Sequence, residues 1–238
     1  MKNNIWEFIH KHTSIGEVYG DYDTGSNFPE PQENYYNVKE TIKLKCNNLD
    51  INGFSLKECL IQRKSTREFS DKEIDFNELS NILFWSYGKM ENKHNVPSAG
   101  ARFPVEIHVV INKINGIKQG IYHYDYKNNC LELTSNPDFR FENIFHSLTK
   151  QKFYCYDIPA MICLCADFSR TISKYGDRGY RYVYLDAGHI GQNLYLTATD
   201  NEIGIVGIGG FYDLSLKKFL NLPYNEYPIY IFAIGKKQ

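Results

Sequence analysis

Residues 63–67 read Arg-Lys-Ser-Thr-Arg, three cations and two hydroxyls in five positions. Guanidinium forks match phosphate oxygens in bidentate fashion, and a hydroxyl adds a further donor. In an extended segment Arg63, Ser65 and Arg67 fall on one side, because side chains alternate. The pattern makes an anion clamp; a solvated basic turn has the same composition. A second segment, Pro97-Ser98-Ala99-Gly100-Ala101-Arg102-Phe103-Pro104, brackets small residues with prolines. Such a loop is fixed, and its backbone can come close to a planar ligand, although a purely structural turn looks similar. A third, from Gly204 to Phe211, holds glycines at 204, 207, 209 and 210. Glycines there leave backbone N–H groups uncovered for a ligand, or simply make a flexible, glycine-dense turn over 204–210. The segment matches neither GxGxxG nor GxxxxGKS/T, which rejects a Rossmann dinucleotide site and a P-loop.

The fourth segment runs from Lys174-Tyr175 through Tyr182 to Asp186-Ala187-Gly188-His189. Free Lys and Tyr both titrate near about 10. Side by side in a partly buried, electropositive pocket, either can be driven toward neutrality and serve as a base. The alternative is a helix with a solvated polar start, and a lone His189 reads more simply as a satisfied histidine than as a ligand. Ala187 and Gly191, four apart with Gly188 beside them, offer a small face to a second helix of this chain or of a two-fold mate.

These segments need elements to hold them. Ser55–Arg63 is expected to be a helix with Ser55 as N-cap and Glu58 three residues on; Asp75–Tyr87 repeats the pattern with Glu78. A short helix is expected over residues 1–12, an irregular surface wrap over 13–40, and a short strand over Lys43–Lys45. Val105–Ile114 reads as a strand, and Gly120–Asp125 with Cys130–Leu133 as a hairpin about residues 127–129. Further expectations are a weak helix over Phe139–Thr149 and a buried strand over Ile158–Ala166, with Cys163 and Cys165 on one face. The longest helix spans Arg178–Asn201, followed by a short helix over Leu214–Leu222 and a final strand over Tyr227–Ile234. Strands and helices without regular βαβ alternation argue an α+β fold in one domain.

The 238 residues suffice for a continuous core. With 42% hydrophobic and 23% charged residues, disorder and collagen-like repeats are out. A net charge of −1 gives no basic excess to announce nucleic acid. No apolar run is long enough to span a bilayer, the start lacks a signal-peptide core, and no CxxC pair suggests zinc, so no metal is expected. The six cysteines read as reduced thiols and the location as cytoplasmic.

Taken in order and spacing, RxSxR, PSAGARFP, RGYRYxxLDAGHIGQNLYLTA and GIxGIGGFYD ahead of a last strand resemble the FMN-dependent nitroreductase superfamily. PSAGAR, GIYHYD and GYRYxxLDAGHxxQN are similar more narrowly to the SagB-type dehydrogenases, the azoline oxidases of thiazole- and oxazole-containing peptides. The resemblance covers about residues 55–235. It implies a nitroreductase-like fold with a central mixed or antiparallel sheet flanked by helices. Residues 1–54 would form an irregular segment packed on an FMN-binding domain of 55–238. It also implies an intertwined homodimer with FMN at the subunit interface. Arg63, Ser65 and Arg67 would hold the phosphate and ribityl chain, with Lys236 or Lys237 completing the site. Pro97, Ser98, Ala99 and Arg102 would come from the partner chain along the isoalloxazine. Ile208, Gly209 and Gly210 would offer amides near the flavin N5/O4 edge. Lys174-Tyr175 would be the acid/base pair, and a cyclodehydratase partner would present the peptide. On the same scaffold, an NAD(P)H-dependent nitro- or quinone reductase is the alternative, and a flavin- or partner-binding protein without turnover is a third reading.

Overall fold

The computed structural model describes residues 5–14, 35–45, 53–91, 93–137, 141–149 and 158–238. The wrap expected over 13–40, together with Cys46 and Cys155, lies largely or wholly outside them. Helix α1 spans Ile5–His12, and strand β1 is Glu40–Lys43, a few residues before the strand expected at Lys43–Lys45.

Local chemistry forms the next two helices as expected. In α2 (Leu56–Gln62) the Ser55 hydroxyl accepts from Glu58 N–H while the Glu58 carboxylate accepts from Ser55 N–H. In α3 (Phe76–Tyr87) Asp75 and Glu78 do the same around the first turn. Each box satisfies amide groups that a helix start leaves orphaned, worth about 1 kcal/mol per cap. Short β2 (Ile74–Asp75) pairs in parallel with β6 (Ile114–Asn115), and β3 (Lys89–Met90) with β4 (Lys93–His94).

The main sheet adds β5 (Val105–Ile111), β7 (Gly120–Asp125), β8 (Cys130–Ser135), β9 (Ala160–Asp167), β10 (Ile203–Ile208) and β11 (Glu226–Lys236). Its order is β1-β8-β7-β5-β9-β11-β10, and every neighbouring pair is antiparallel. Side-chain alternation sorts β5 and β9 onto two faces. Val105, Ile107, Val109, Ile162 and Leu164 pack with α3 and with α6 (Gly179–Asp200). Val110, Met161, Cys163 and Cys165 pack on the other face, against Phe145 and Leu148 of α4 (Phe141–Leu148) and Leu216 of α7 (Asp213–Phe219). Cys163 and Cys165 therefore share one face.

Two expectations are corrected. Residues 204–208 are not part of a turn: they lie in β10, fully paired with β11. Glycine serves there because the neighbours leave no room, since a Cβ on Gly204 would lie 2.8 Å from the Thr66 side chain, and Gly207 meets the Tyr230 ring. Ala187 and Gly191 face inward, where a Cβ on Gly191 would stand 3.0 Å from Phe232, so this small face receives the sheet rather than a second copy. Lys174 and Tyr175 precede the long helix, which begins where expected. They end a separate short helix, α5 (Ser169–Tyr175), which Gly176, at φ +54°, divides from a 3-10 turn leading into α6.

Candidate active site

The basic segment is sewn to the edge of the sheet. Thr66 N–H donates to Ile205 O at 2.9 Å, Ser65 bridges Ile205, Phe69 pairs with Lys237, and Ser70 N–H donates to Lys236 O at 2.9 Å. Between this segment and the chain's last residues lies a cleft of about 260 Å³ lined by Lys64–Glu68 and by Lys237 and Gln238. Three side-chain cations and a hydroxyl pair, against the one side-chain carboxylate of Glu68, make a donor set that suits a phosphate. Of the two terminal lysines, Lys237 lines the cleft, whereas Lys236 is hydrogen-bonded to the Glu78 carboxylate. Arg63 does not line the cleft. Its guanidinium lies over the Tyr195 ring, 5.4 Å from the centroid, and the Tyr195 hydroxyl meets Ser65 Oγ at 3.0 Å and accepts from Gly207 N–H at 2.8 Å. Tyr195 thus ties the clamp, α6 and β10 together, and it is a residue that composition alone did not single out.

Farther toward the start of α6 the small-residue loop is fastened to Asp186. Ser98 Oγ donates to that carboxylate at 2.5 Å, Ala99 N–H approaches it at 3.4 Å, and Phe103 N–H donates back to Ser98 Oγ at 2.9 Å. Burial raises the Asp186 pKa against the lowering effect of these bonds. Pro97 is exposed, Ala99 half-buried. Arg102 turns toward α5, where Nε donates to Arg170 O at 2.9 Å and Nη2 to Ser173 Oγ at 3.0 Å. Lys174 and Tyr175 come to the same place. A Cβ on Gly100 would lie 2.5 Å from Tyr175 Oη and 2.7 Å from Lys174 Nζ. The structure therefore brings the loop and the Lys-Tyr pair together within one chain.

At the end of β10, Ile208 is buried in the second core, so only its backbone is available to a ligand. Gly209 is exposed, with open space where a side chain would stand. Thr149 paired with Phe211, and Tyr212 N–H donating to Leu148 O, fix the chain just beyond.

A second group, missed in the sequence, lies on the α4/α7 face. Glu106 accepts from Arg170 Nη2 at 2.6 Å and from His123 Nε2 at 2.9 Å, and His123 Nδ1 reaches Glu132 at 3.0 Å. Tyr36 stacks on His123 at 4.1 Å and donates to Glu226, which also holds His108 Nε2 at 2.6 Å. Burial would raise the Glu106 pKa, but the His123 bond and charge, with Arg170, bring it down to about 2. Burial would lower that of His123, but Glu106 and Glu132 carry it up to about 9. The signal was present: Glu106 and His108 alternate with apolar residues in β5, and His123 does so in β7. Arg170 joins this network to the loop by donating to Phe103 O at 3.0 Å.

Sheet, edge clamp and small-residue loop together define the nitroreductase class of fold. A nitroreductase family model matches residues 60–236, and the chain belongs to that family. Protein MJ1384 of Methanocaldococcus jannaschii, named for a nitroreductase, is 36% identical over 190 residues, covering 79% of this chain and 94% of the relative. The trifolitoxin-processing protein TfxB of Rhizobium leguminosarum bv. trifolii is 33% identical over 108 residues, 43% of this chain but 28% of TfxB. In fold, the chain is similar to one in the E. coli microcin synthetase McbBCD complex with truncated pro-MccB17 bound, with a TM-score of 0.64, 19% identity, and coverage of 84% of this chain and 79% of that one. Among the described residues, no helix is long and apolar enough to cross a membrane.

Proposed function

We propose that this chain is an FMN-dependent dehydrogenase that oxidises azoline rings of a ribosomal peptide to azoles. The observation that carries the reading is the convergence of Lys174 Nζ and Tyr175 Oη on Gly100 of the small-residue loop. Kinship with TfxB and the fold shared with the microcin synthetase complex support a peptide-processing setting, and the resemblance to the SagB-type dehydrogenases adds a cyclodehydratase partner. The donor set of the Lys64–Glu68 cleft with Lys237 fits the phosphate of FMN, and Ser65 fits its ribityl end. Gly209, with open space above it, leaves backbone amides accessible to a flat ring.

Azoline-to-azole conversion removes two protons and two electrons. One hydrogen leaves as a proton, which the Lys174-Tyr175 pair would accept; the other leaves as hydride. FMN, when bound, supplies the two-electron acceptor, with oxygen or another acceptor taking the electrons onward. The protein's part is to hold the proton acceptor beside the ring and exclude water.

The reading also proposes a homodimer. Within one chain the clamp meets α6 at Tyr195 and the loop meets it at Asp186, about 13 Å apart along a helix rising 1.5 Å per residue. A second copy would bring its loop to this clamp. The exposed apolar side chains of Leu56, Leu60 and Ile61 on α2 and of Leu185 on α6, with open space at Gly188, offer surface for it.

The test is anaerobic mixing of the purified protein with a thiazoline-bearing peptide in the presence of its cyclodehydratase partner. A yellow dimer that releases FMN on denaturation and bleaches on mixing supports the reading. Prompt bleaching by NADPH alone, with no response to the azoline, would assign it instead to a nitro- or quinone-reductase activity, the first of which MJ1384 is named for. A colourless protein that cannot be reconstituted removes both.

A further inference from the structure

We propose that Gly100 and Arg102 are positioning residues for the Lys174-Tyr175 pair, Gly100 by leaving room for the two reactive groups and Arg102 by tying the loop to the helix that carries them. The inference rests on the proposed function for the role of the pair, but its geometry stands alone.

The loop is held in a conformation that side chains rarely adopt. Gly100 has φ +60°, and Ala101 and Phe103 follow at +54° and +44°. A left-handed conformation strains a non-glycine residue, and such strain persists only where surroundings enforce it. Here they do. Asp186 holds Ser98 and Ala99, and α5 holds the rest. Arg102 donates twice into α5, while Arg170 of α5 donates back to Phe103 O. These three bonds cross the gap in both directions, so loop and helix move as one body. Arg170 is itself fixed by Glu106. Nε and Nη2 of Arg102 are therefore committed to α5, a role that the family resemblance did not give it.

The consequence of that tie is the approach at Gly100. Both Lys174 Nζ and Tyr175 Oη lie nearer to its Cβ position than any real Cβ contact permits. A methyl group there must displace one or both. Space demands glycine here, and the left-handed dihedral angle favours it. Lys174 is otherwise exposed, so this contact and the Tyr175 ring, 5.4 Å away, are what define its place.

Gly100→Ala and Arg102→Lys test the proposal on the full dimer. In both, FMN content and the KM for the thiazoline peptide stay within about twofold, while kcat falls about tenfold or more, since ångström-scale misplacement of a catalytic group has effects of this order. A second readout needs no turnover: the rate of Lys174 acylation, followed by peptide mass spectrometry, changes about threefold or more, with exposed Lys118 unchanged as internal reference. If the wild type does not oxidise azolines but Lys174 labelling responds, the positioning stands and the functional reading falls. If Gly100→Ala does not fold, Arg102→Lys decides. Unchanged kcat and unchanged labelling in the folded variants overturn the proposal.

Discussion

The Ser98 hydroxyl donates to the Asp186 carboxylate at 2.5 Å, and through this bond the small-residue loop is fixed to the first half of the longest helix. Asp186 is almost fully buried, so it depends on what the loop supplies. Ser98→Ala leaves that carboxylate short of a donor, which costs about 1–3 kcal/mol. Urea unfolding should show the loss as a lower midpoint at constant slope, and an unchanged midpoint would contradict it.

His123 gives the protein a defined alkaline limit. Its pKa is up to about 9 in the fold against 6.5 ordinarily, so its stabilising contribution is fully present below 6.5 and is lost as pH rises through 9. Glu106, held down to about 2 against 4.5, contributes above 4.5 and loses that contribution as pH falls through 2. Stability should therefore plateau between about 4.5 and 6.5 and decline on either side. His123→Gln should flatten most of the alkaline decline in a pH series of denaturation midpoints. Glu106→Gln leaves Arg170 and His123 without their shared carboxylate and should cost about 3–5 kcal/mol.

The glycines of β10 are predicted to be sites of close packing. Gly207→Val would drive a branched side chain into the Tyr230 ring and should destabilise by about 1–3 kcal/mol. Thermal unfolding measures this directly. Tolerance of valine there would mean that the strand is not packed as described.

Why that strand reads as a turn, while other elements are legible, follows from where the information lies. Ser55 with Glu58, and Asp75 with Glu78, bond to backbone within one turn, so α2 and α3 were legible from a few residues. Cys163 and Cys165 alternate within β9, and period two needs no distant partner. Gly204 and Gly207 look like a turn because their reason is remote: Thr66 and Tyr230 occupy the space that side chains would fill. Ala187 and Gly191 share a face by spacing, but spacing does not say which way the face points; Phe232 answers that. At the site, the basic segment and the small-residue loop were legible as unusual composition. The separation of Arg63 from Arg67 and the division of labour between Lys236 and Lys237 depend on Tyr195 and Glu78, contacts over long sequence distances.

That last division yields a sharp contrast. Lys237 lines the cleft with Ser65 and Arg67, while Lys236 bonds to Glu78 at the start of α3. Lys237→Ala should weaken FMN retention, with a Kd about tenfold higher by fluorescence titration, in the range of one lost charge-assisted hydrogen bond. Lys236→Ala should leave the Kd within about twofold and reduce stability by at most about 1 kcal/mol, as expected of a partly exposed ion pair. Arg67→Ala should follow Lys237→Ala. Arg63→Ala should weaken flavin binding less and stability more, because the guanidinium packs on Tyr195 rather than facing the cleft. Equal loss of FMN from the Lys236 and Lys237 variants would show that the phosphate lies elsewhere than in the cleft at the sheet edge.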